Sequence, residues 1–202
     1  MPMPAQRPVV IIDNYDSFSY NLYQMTQVET EAPVEIYRND QINFETLLAK
    51  KPQRVILSPG PGSPAIADDF GVCAEIIQKQ AELDCPVLGV CLGHQGIAHY
   101  LGGKVIAAPE IVHGESRLMQ CLSLSPLFKD VPEVFEAMRY HSLLIDESNL
   151  PEALEITVRD LETAIPMAVQ HRNQPIFGIQ FHPESIGTPH GKQILRNFIN
   201  AC

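Results

Sequence analysis

Long apolar runs are missing from this 202-residue sequence: no segment approaches the roughly 20 consecutive apolar residues that cross a bilayer. The proline-bearing start, Met1 to Pro8, holds no apolar export segment either, so the chain reads as soluble and cytoplasmic. Paired cysteines are missing as well. Cys73, Cys85, Cys91, Cys121 and Cys202 form an odd, scattered set without Cys-x-x-Cys spacing. That argues against a disulfide framework or a four-thiolate zinc site and fits a reducing compartment in which a reactive thiol persists. Basic clusters are absent too: 14 Lys and Arg stand against 24 Asp and Glu, for a net charge of −10, so neither nucleic acid nor an anionic membrane is an expected partner. No repeat, low-complexity stretch or Gly/Ser-rich linker divides the chain, and 45% hydrophobic content can supply a substantial core, so residues 1–202 are expected to form a single domain.

What is present in the first half is an alternation. Short β-branched runs (Val9 to Asp13, Val34 to Arg38, Arg54 to Ser58, Val87 to Val90) are separated by amphipathic stretches at Ser17 to Glu29, Phe44 to Lys51, Phe70 to Gln80 and Leu92 to Leu101. Phe18, Leu22 and Met25 recur at helical spacing, whereas Val9 to Ile12 is continuously apolar, as suits a strand covered on both faces. From about Lys104 the texture changes: Leu154, Ile156 and Val158 alternate with charged residues, and Phe135 to Tyr140, Met167 to Gln170 and Pro175 to Phe181 also read as strands. A last helix is expected over Gly191 to Asn200. The order predicts an α/β protein: an open, mainly parallel central sheet flanked by helices, with an additional smaller antiparallel sheet from the second half.

Gly89-Val90-Cys91-Leu92-Gly93 sets a cysteine on a small-residue turn between a strand and a helix, where flanking glycines let neighbouring backbone approach and the side chain is presented on a sharp bend. The first N–H groups of the helix favour a thiolate there. Alone, the pentapeptide describes a core cysteine equally well, so its partners decide. A thiol nucleophile needs a base, and the base needs an orienting group. Phe181-His182-Pro183-Glu184-Ser185 provides both, because proline forces His182 into extended chain and residues i and i+2 then share a side. The third element is Ser58-Pro59-Gly60-Pro61-Gly62-Ser63-Pro64, which opens at the same sheet edge and lacks the Gly-Lys-Ser/Thr of a phosphate loop. The N–H groups of Gly60 and Leu92 can form an oxyanion hole, each donor being worth roughly 2.7–4 kcal/mol in the transition state. A metal site at Cys91, His94 and His99 is disfavoured, since on a helix the two histidines stand about 140° apart.

Five ordered segments carry a family resemblance: Ile12-Asp13-Asn14-Tyr15-Asp16-Ser17-Phe18-Ser19-Tyr20-Asn21-Leu22, Leu57-Ser58-Pro59-Gly60-Pro61-Gly62, Gly89-Val90-Cys91-Leu92-Gly93-His94-Gln95, Arg139-Tyr140-His141-Ser142-Leu143 and Gly178-Ile179-Gln180-Phe181-His182-Pro183-Glu184-Ser185. Together they resemble the class I glutamine amidotransferases, and more narrowly the glutaminase subunit (component II) of anthranilate synthase and aminodeoxychorismate synthase, over about Val9 to Phe198. The resemblance implies that Cys91 attacks the side-chain amide of L-glutamine, His182 passes a proton to departing ammonia and Glu184 orients His182. It implies further that Gly60, Pro61, Gly62, Gln95 and the backbone around Ser142 and Leu143 hold the glutamine. Without the family, Ser142 reads as a turn residue, Gln95 as a helix-surface amide, and Asp16 and Ser17 as helix caps. The motifs supply no chorismate site. Ammonia is therefore expected to pass to a separate component I, which binds chorismate and Mg²⁺, in a heterodimer or heterotetramer; this chain itself is expected to carry no cofactor and no metal. Ile66 to Gly71, and Leu127-Phe128 with Val131-Pro132, look more like the aminodeoxychorismate branch, while Leu118-Met119-Gln120-Cys121 after His113-Gly114 departs from the common component II pattern. The alternatives are a cysteine hydrolase of this fold acting on a γ-glutamyl substrate, and a catalytically silent regulatory protein.

Overall fold

The computed structural model describes residues 6–202, apart from the side chains of 110–113. Met1 to Ala5 of the N-terminal reading and the side chain of His113 thus lie outside the described residues. The strands are β1 (Val9–Asp13), β2 (Val34–Arg38), β3 (Arg54–Leu57), β4 (Val87–Val90), β5 (Val105–Cys121), β6 (Val134–Ile145), β7 (Leu154–Asp160), β8 (Pro166–His171) and β9 (Ile176–Ile179). The helices are α1 (Ser19–Glu29), α2 (Phe44–Ala49), α3 (Ala67–Phe70), α4 (Cys73–Gln78), α5 (Gln80–Leu83), α6 (Leu92–Tyr100) and α7 (Gly191–Asn200).

All nine strands join one sheet in the order β2-β1-β3-β4-β9-β8-β7-β5-β6. The first five are parallel to their neighbours, and from β9 onward each pair is antiparallel. The antiparallel part expected of the second half is thus hydrogen-bonded edge-on to the parallel part, through β8 beside β9. Period-two alternation sends Val9 and Ile11 of β1 to one core and Val10 and Ile12 to the other. On the first face Leu22 of α1 and Ile194, Leu195 and Phe198 of α7 complete the core. On the second, Phe44, Phe70, Ile76, Ile77 and Ile97 from α2, α3, α4 and α6 do so. Burial on both faces is why these strands are continuously apolar.

Three expectations are corrected. The helix expected over 70–80 is three short pieces: Gly71 breaks it at φ +48°, and a Cβ there would stand 2.4 Å from the Asn39 carbonyl oxygen. No strand was named over 105–121; β5 forms there, with register shifts between Ala107 and Val112 and between His113 and Glu115 where Pro109 and Gly114 interrupt the alternation. The helix expected from Ser17 begins at Ser19, with Phe18 in the cap position. Asp16 accepts the Phe18 N–H at 2.7 Å, and Asp13 accepts the Ser19 hydroxyl at 2.6 Å.

Neighbouring strands β1 and β3 lead away to opposite sides, β1 to β2 on one flank and β3 to β4 on the other. Ligands of such sheets bind beyond the carboxyl ends of the strands. Asn14, Ser58, Cys91 and Gln180 all follow directly on the last residues of β1, β3, β4 and β9 at that edge.

Candidate active site

Cys91 sits between the last residue of β4 and the first of α6 with φ 51° and ψ −98°, a conformation that costs a non-glycine residue of order 1–3 kcal/mol. The surroundings over-determine it. Its N–H donates to the Ile179 carbonyl at 2.8 Å, and its carbonyl accepts the Gln95 N–H at 3.0 Å. The flanking glycines are required by close approach: a Cβ on Gly89 would lie 2.4 Å from the Gly93 carbonyl carbon, and one on Gly93 would lie 2.5 Å from the Leu57 oxygen. Helix α6 therefore rides directly on β3 and β4, with the sulfur at its N-terminal end and only 7% of the residue exposed.

The parallel register Val90 with Ile179 brings the chain after β9 alongside this turn. His182 Nδ1 lies 2.6 Å from Glu184 Oε1, with the residues 4% and 8% exposed. The pairing arises in a turn, closed by Ser185 N–H on the His182 carbonyl at 3.3 Å, rather than in the extended chain expected from Pro183. Two further bonds hold that turn: His182 N–H donates to the Met138 carbonyl at 3.0 Å, and the Thr188 hydroxyl donates to the His182 carbonyl at 2.7 Å. The carboxylate fixes the proton on Nδ1, leaving Nε2 buried with no hydrogen-bond partner and free for a reacting group. Burial opposes charge on this imidazole, but the Cys91 sulfur and the Glu184 carboxylate outweigh it and raise its pKa, so the imidazolium is favoured.

Gly60 faces Leu92 and Asn14: a Cβ on it would lie 2.4 Å from the Asn14 oxygen and 3.0 Å from Leu92 Cδ2. Leu92, first in α6, has no helical acceptor for its N–H. The Pro-Gly-Pro-Gly loop is tied to β1 by Asn14, whose N–H and Nδ2 reach the Ser58 hydroxyl and carbonyl at 2.9 and 2.8 Å. Pro61 and Gly62 lie exposed at its tip, where Gly62 has φ +85°. Gln95 is 3% exposed, not a surface amide; its Nε2 donates to the Leu143 carbonyl at 3.1 Å and to Gln180 Oε1 at 3.2 Å. Ser142 stands exposed within β6 rather than in a turn, and Leu143 beside it is half-buried.

Two residues were missed as candidates from sequence. Gln180 is fully buried, with Nε2 3.6 Å from Cys91 Sγ, and the Tyr140 ring meets His182 edge-on at 5.2 Å between centroids. A cavity of about 280 Å³ reaches His182 and Glu184 between Phe18, Asn21, Tyr140, Ser185 and Ile186. Its lining does not include Cys91 or the Gly60 loop; His182 and Tyr140, whose carbonyl accepts from Cys91 Sγ at 3.8 Å, stand between the cysteine and that cavity. Nearby, His141 accepts from Arg139 Nε at 3.0 Å, and Arg139 pairs with Asp160 at 2.7 Å, both fully sequestered. Burial, then Arg139, pushes the His141 imidazole down to about 4, and burial pushes His94 down to about 3.

A sheet with these carboxyl-edge loops and a cysteine beside a His–Glu pair defines an α/β protein that gathers a thiol, an imidazole and a carboxylate at one sheet edge. The chain belongs to the class I glutamine amidotransferases, whose family description, glutamine amidotransferase class-I, matches residues 10–202. Among its relatives, anthranilate synthase component 2 of Methanothermobacter marburgensis is 47% identical over 196 residues, 95% of this chain and 97% of that protein. The protein of the same name from Azospirillum brasilense is 44% identical over 192 residues, 95% of each chain. A solved structure described as a glutamine amidotransferase from Thermotoga maritima shares the fold with a TM-score of 0.72, at 15% identity and over 98% of this chain and 97% of that one. Among the described residues, no helix is long and apolar enough to cross a membrane.

Proposed function

We propose that this chain is the glutaminase component of a chorismate-using synthase, with Cys91 as nucleophile, His182 as proton carrier and Glu184 as its orienting group. The observation that carries the proposal is the β4–β9 register, which sets the strained Cys91 beside the buried His182–Glu184 pair. The Cys91 sulfur attacks the side-chain amide carbon of glutamine, and the carbonyl oxygen becomes an oxyanion facing the N–H groups of Gly60 and Leu92. Collapse breaks the C–N bond while His182 gives its proton to the departing ammonia, leaving a glutamyl thioester. Neutral His182 then takes a proton from water, whose oxygen attacks the thioester carbon; collapse returns the sulfur and releases glutamate. Gly60, Pro61, Gly62, Gln95, Ser142 and Leu143 line the glutamine site in this reading. No cofactor of this chain enters the sequence, and the Mg²⁺ implied by the family would belong to the chorismate-binding partner.

Ammonia released here would serve component I. The names of the relatives support anthranilate as the product, in the tryptophan branch. The Ile66–Gly71 loop and Leu127-Phe128, which resemble the aminodeoxychorismate branch, supply the second reading. Reconstitution tests both: the chain is mixed with each type of component I, chorismate and either glutamine or ammonium salts. Anthranilate from glutamine is expected with the anthranilate component. Cys91→Ala should abolish synthesis from glutamine and leave synthesis from ammonium intact. Equal loss of both activities would contradict the proposal, and product formation only with the aminodeoxychorismate component would reassign the branch.

A further inference from the structure

Three hydrogen-bonding groups behind Cys91 form a directed chain. The Leu143 carbonyl can only accept, so it fixes the nitrogen end of the Gln95 amide at 3.1 Å. The same nitrogen, 3.2 Å from Gln180, requires an oxygen there. The Gln180 amide is then set, with its Nε2 delivered to Cys91 Sγ at 3.6 Å. Turning the Gln180 amide over would oppose two NH₂ groups, and turning both amides would oppose the Gln95 oxygen and the Leu143 carbonyl. Both side chains are sealed from solvent, Gln180 at 0% and Gln95 at 3% exposure, so no water can satisfy a reversed arrangement cheaply. One backbone acceptor thereby decides that the sulfur meets a donor.

We infer that Gln180 is a further catalytic residue, an N–H donor that stabilises the Cys91 thiolate before attack and again when the thioester breaks, oriented by Gln95 and the Leu143 carbonyl. A hydrogen bond to the charged form of an acid favours that form; the Gln180 N–H adds to the His182 imidazolium and the first N–H groups of α6, and opposes the Tyr140 carbonyl that faces the sulfur at 3.8 Å. The inference rests on the glutaminase reading for its catalytic meaning but not for its geometry. It also links recognition to reactivity: Gln95, placed in the glutamine site above, shares its NH₂ with the group that grips the nucleophile.

The test is the pH dependence of iodoacetamide alkylation at Cys91, read by mass spectrometry of the Cys91 peptide so that the other four cysteines do not contribute. The titratable groups around it are His182 and Glu184 after β9, Tyr140 and His141 on β6 with Arg139 beside them, His94 on α6 and Asp16 after β1. Gln180→Met is close in size, neutral, and leaves all of them in place. It should move the alkylation midpoint up by about one pH unit. Glutaminase kcat should fall about tenfold with KM little changed. An alkylation profile that superimposes on wild type would overturn the inference. Should Gln180→Met fail to fold, Gln180→Asn keeps an amide but withdraws it by one methylene; the same upward movement is expected, and its absence is equally decisive. Alkylation needs no glutamine. Loss of the glutaminase reading, seen as no glutamate release by wild type with component I, therefore leaves this result standing on its own.

Discussion

The geometry of His182 is set by its neighbours. The His182 tautomer comes from Glu184, and its position comes from two backbone bonds, one to Met138 and one through Thr188. Two other histidines behave in the opposite way. His94 and His141 are held neutral by burial, at about 3 and about 4, so the unfolded chain takes up protons that the folded chain declines. Their contribution to stability is full above the ordinary histidine value near 6.5 and is lost as pH falls below it, at up to about 1.4 kcal/mol per pH unit for each group. His182, raised, contributes stability that is present below that value and lost as pH climbs through its folded one. Urea titrations at pH 7.5 and 5.5 check this. His94→Leu, which removes an imidazole whose two nitrogens have no partner, should flatten the acid-side slope; an unchanged slope would contradict it.

At the scale of elements, the decisive unit is the turn from β4 into α6. Gly93 lets the helix approach until only a hydrogen fits between it and the Leu57 carbonyl. Gly93→Ala should therefore lift the helix from the sheet, destabilise the fold by about 3 kcal/mol and impair catalysis, checked by chemical denaturation and glutaminase assay. Retained stability would show that α6 is not seated as described. This unit was legible in sequence, because close approach leaves a glycine signature and parallel strands leave continuous apolar runs. Of the β5–β6 ribbon, only Phe135 to Tyr140 was. Its first strand carries Pro109 and Gly114 and shifts register twice, so period-two alternation never accumulates over a readable window. Ser142 was misplaced for the same reason, since only the full length of β6, Val134–Ile145, puts it in a strand. Gln180 was passed over because an amide beside a histidine carries no charge to mark it; only the sealed chain through Gln95 gives it meaning.

For the molecule as a whole, strand order does what no single motif can. Cys91 and His182 are far apart in sequence, and β9 returns after the whole antiparallel excursion to lie next to β4. That return makes one site of motifs that the sequence presents separately, and the sheet continues past it through β8 to β6, whose backbone meets the site at Tyr140 and Leu143. In the proposed reaction this juncture forms a glutamine-derived thioester at Cys91. Its most direct measurement is labelling of the protein, assembled with component I, by a glutamine-mimicking diazoketone, followed by peptide mass spectrometry. One adduct is expected, on Cys91, suppressed by glutamine and absent from Cys91→Ala. An adduct on another cysteine, or labelling of Cys91 that a γ-glutamyl peptide blocks and glutamine does not, would contradict it.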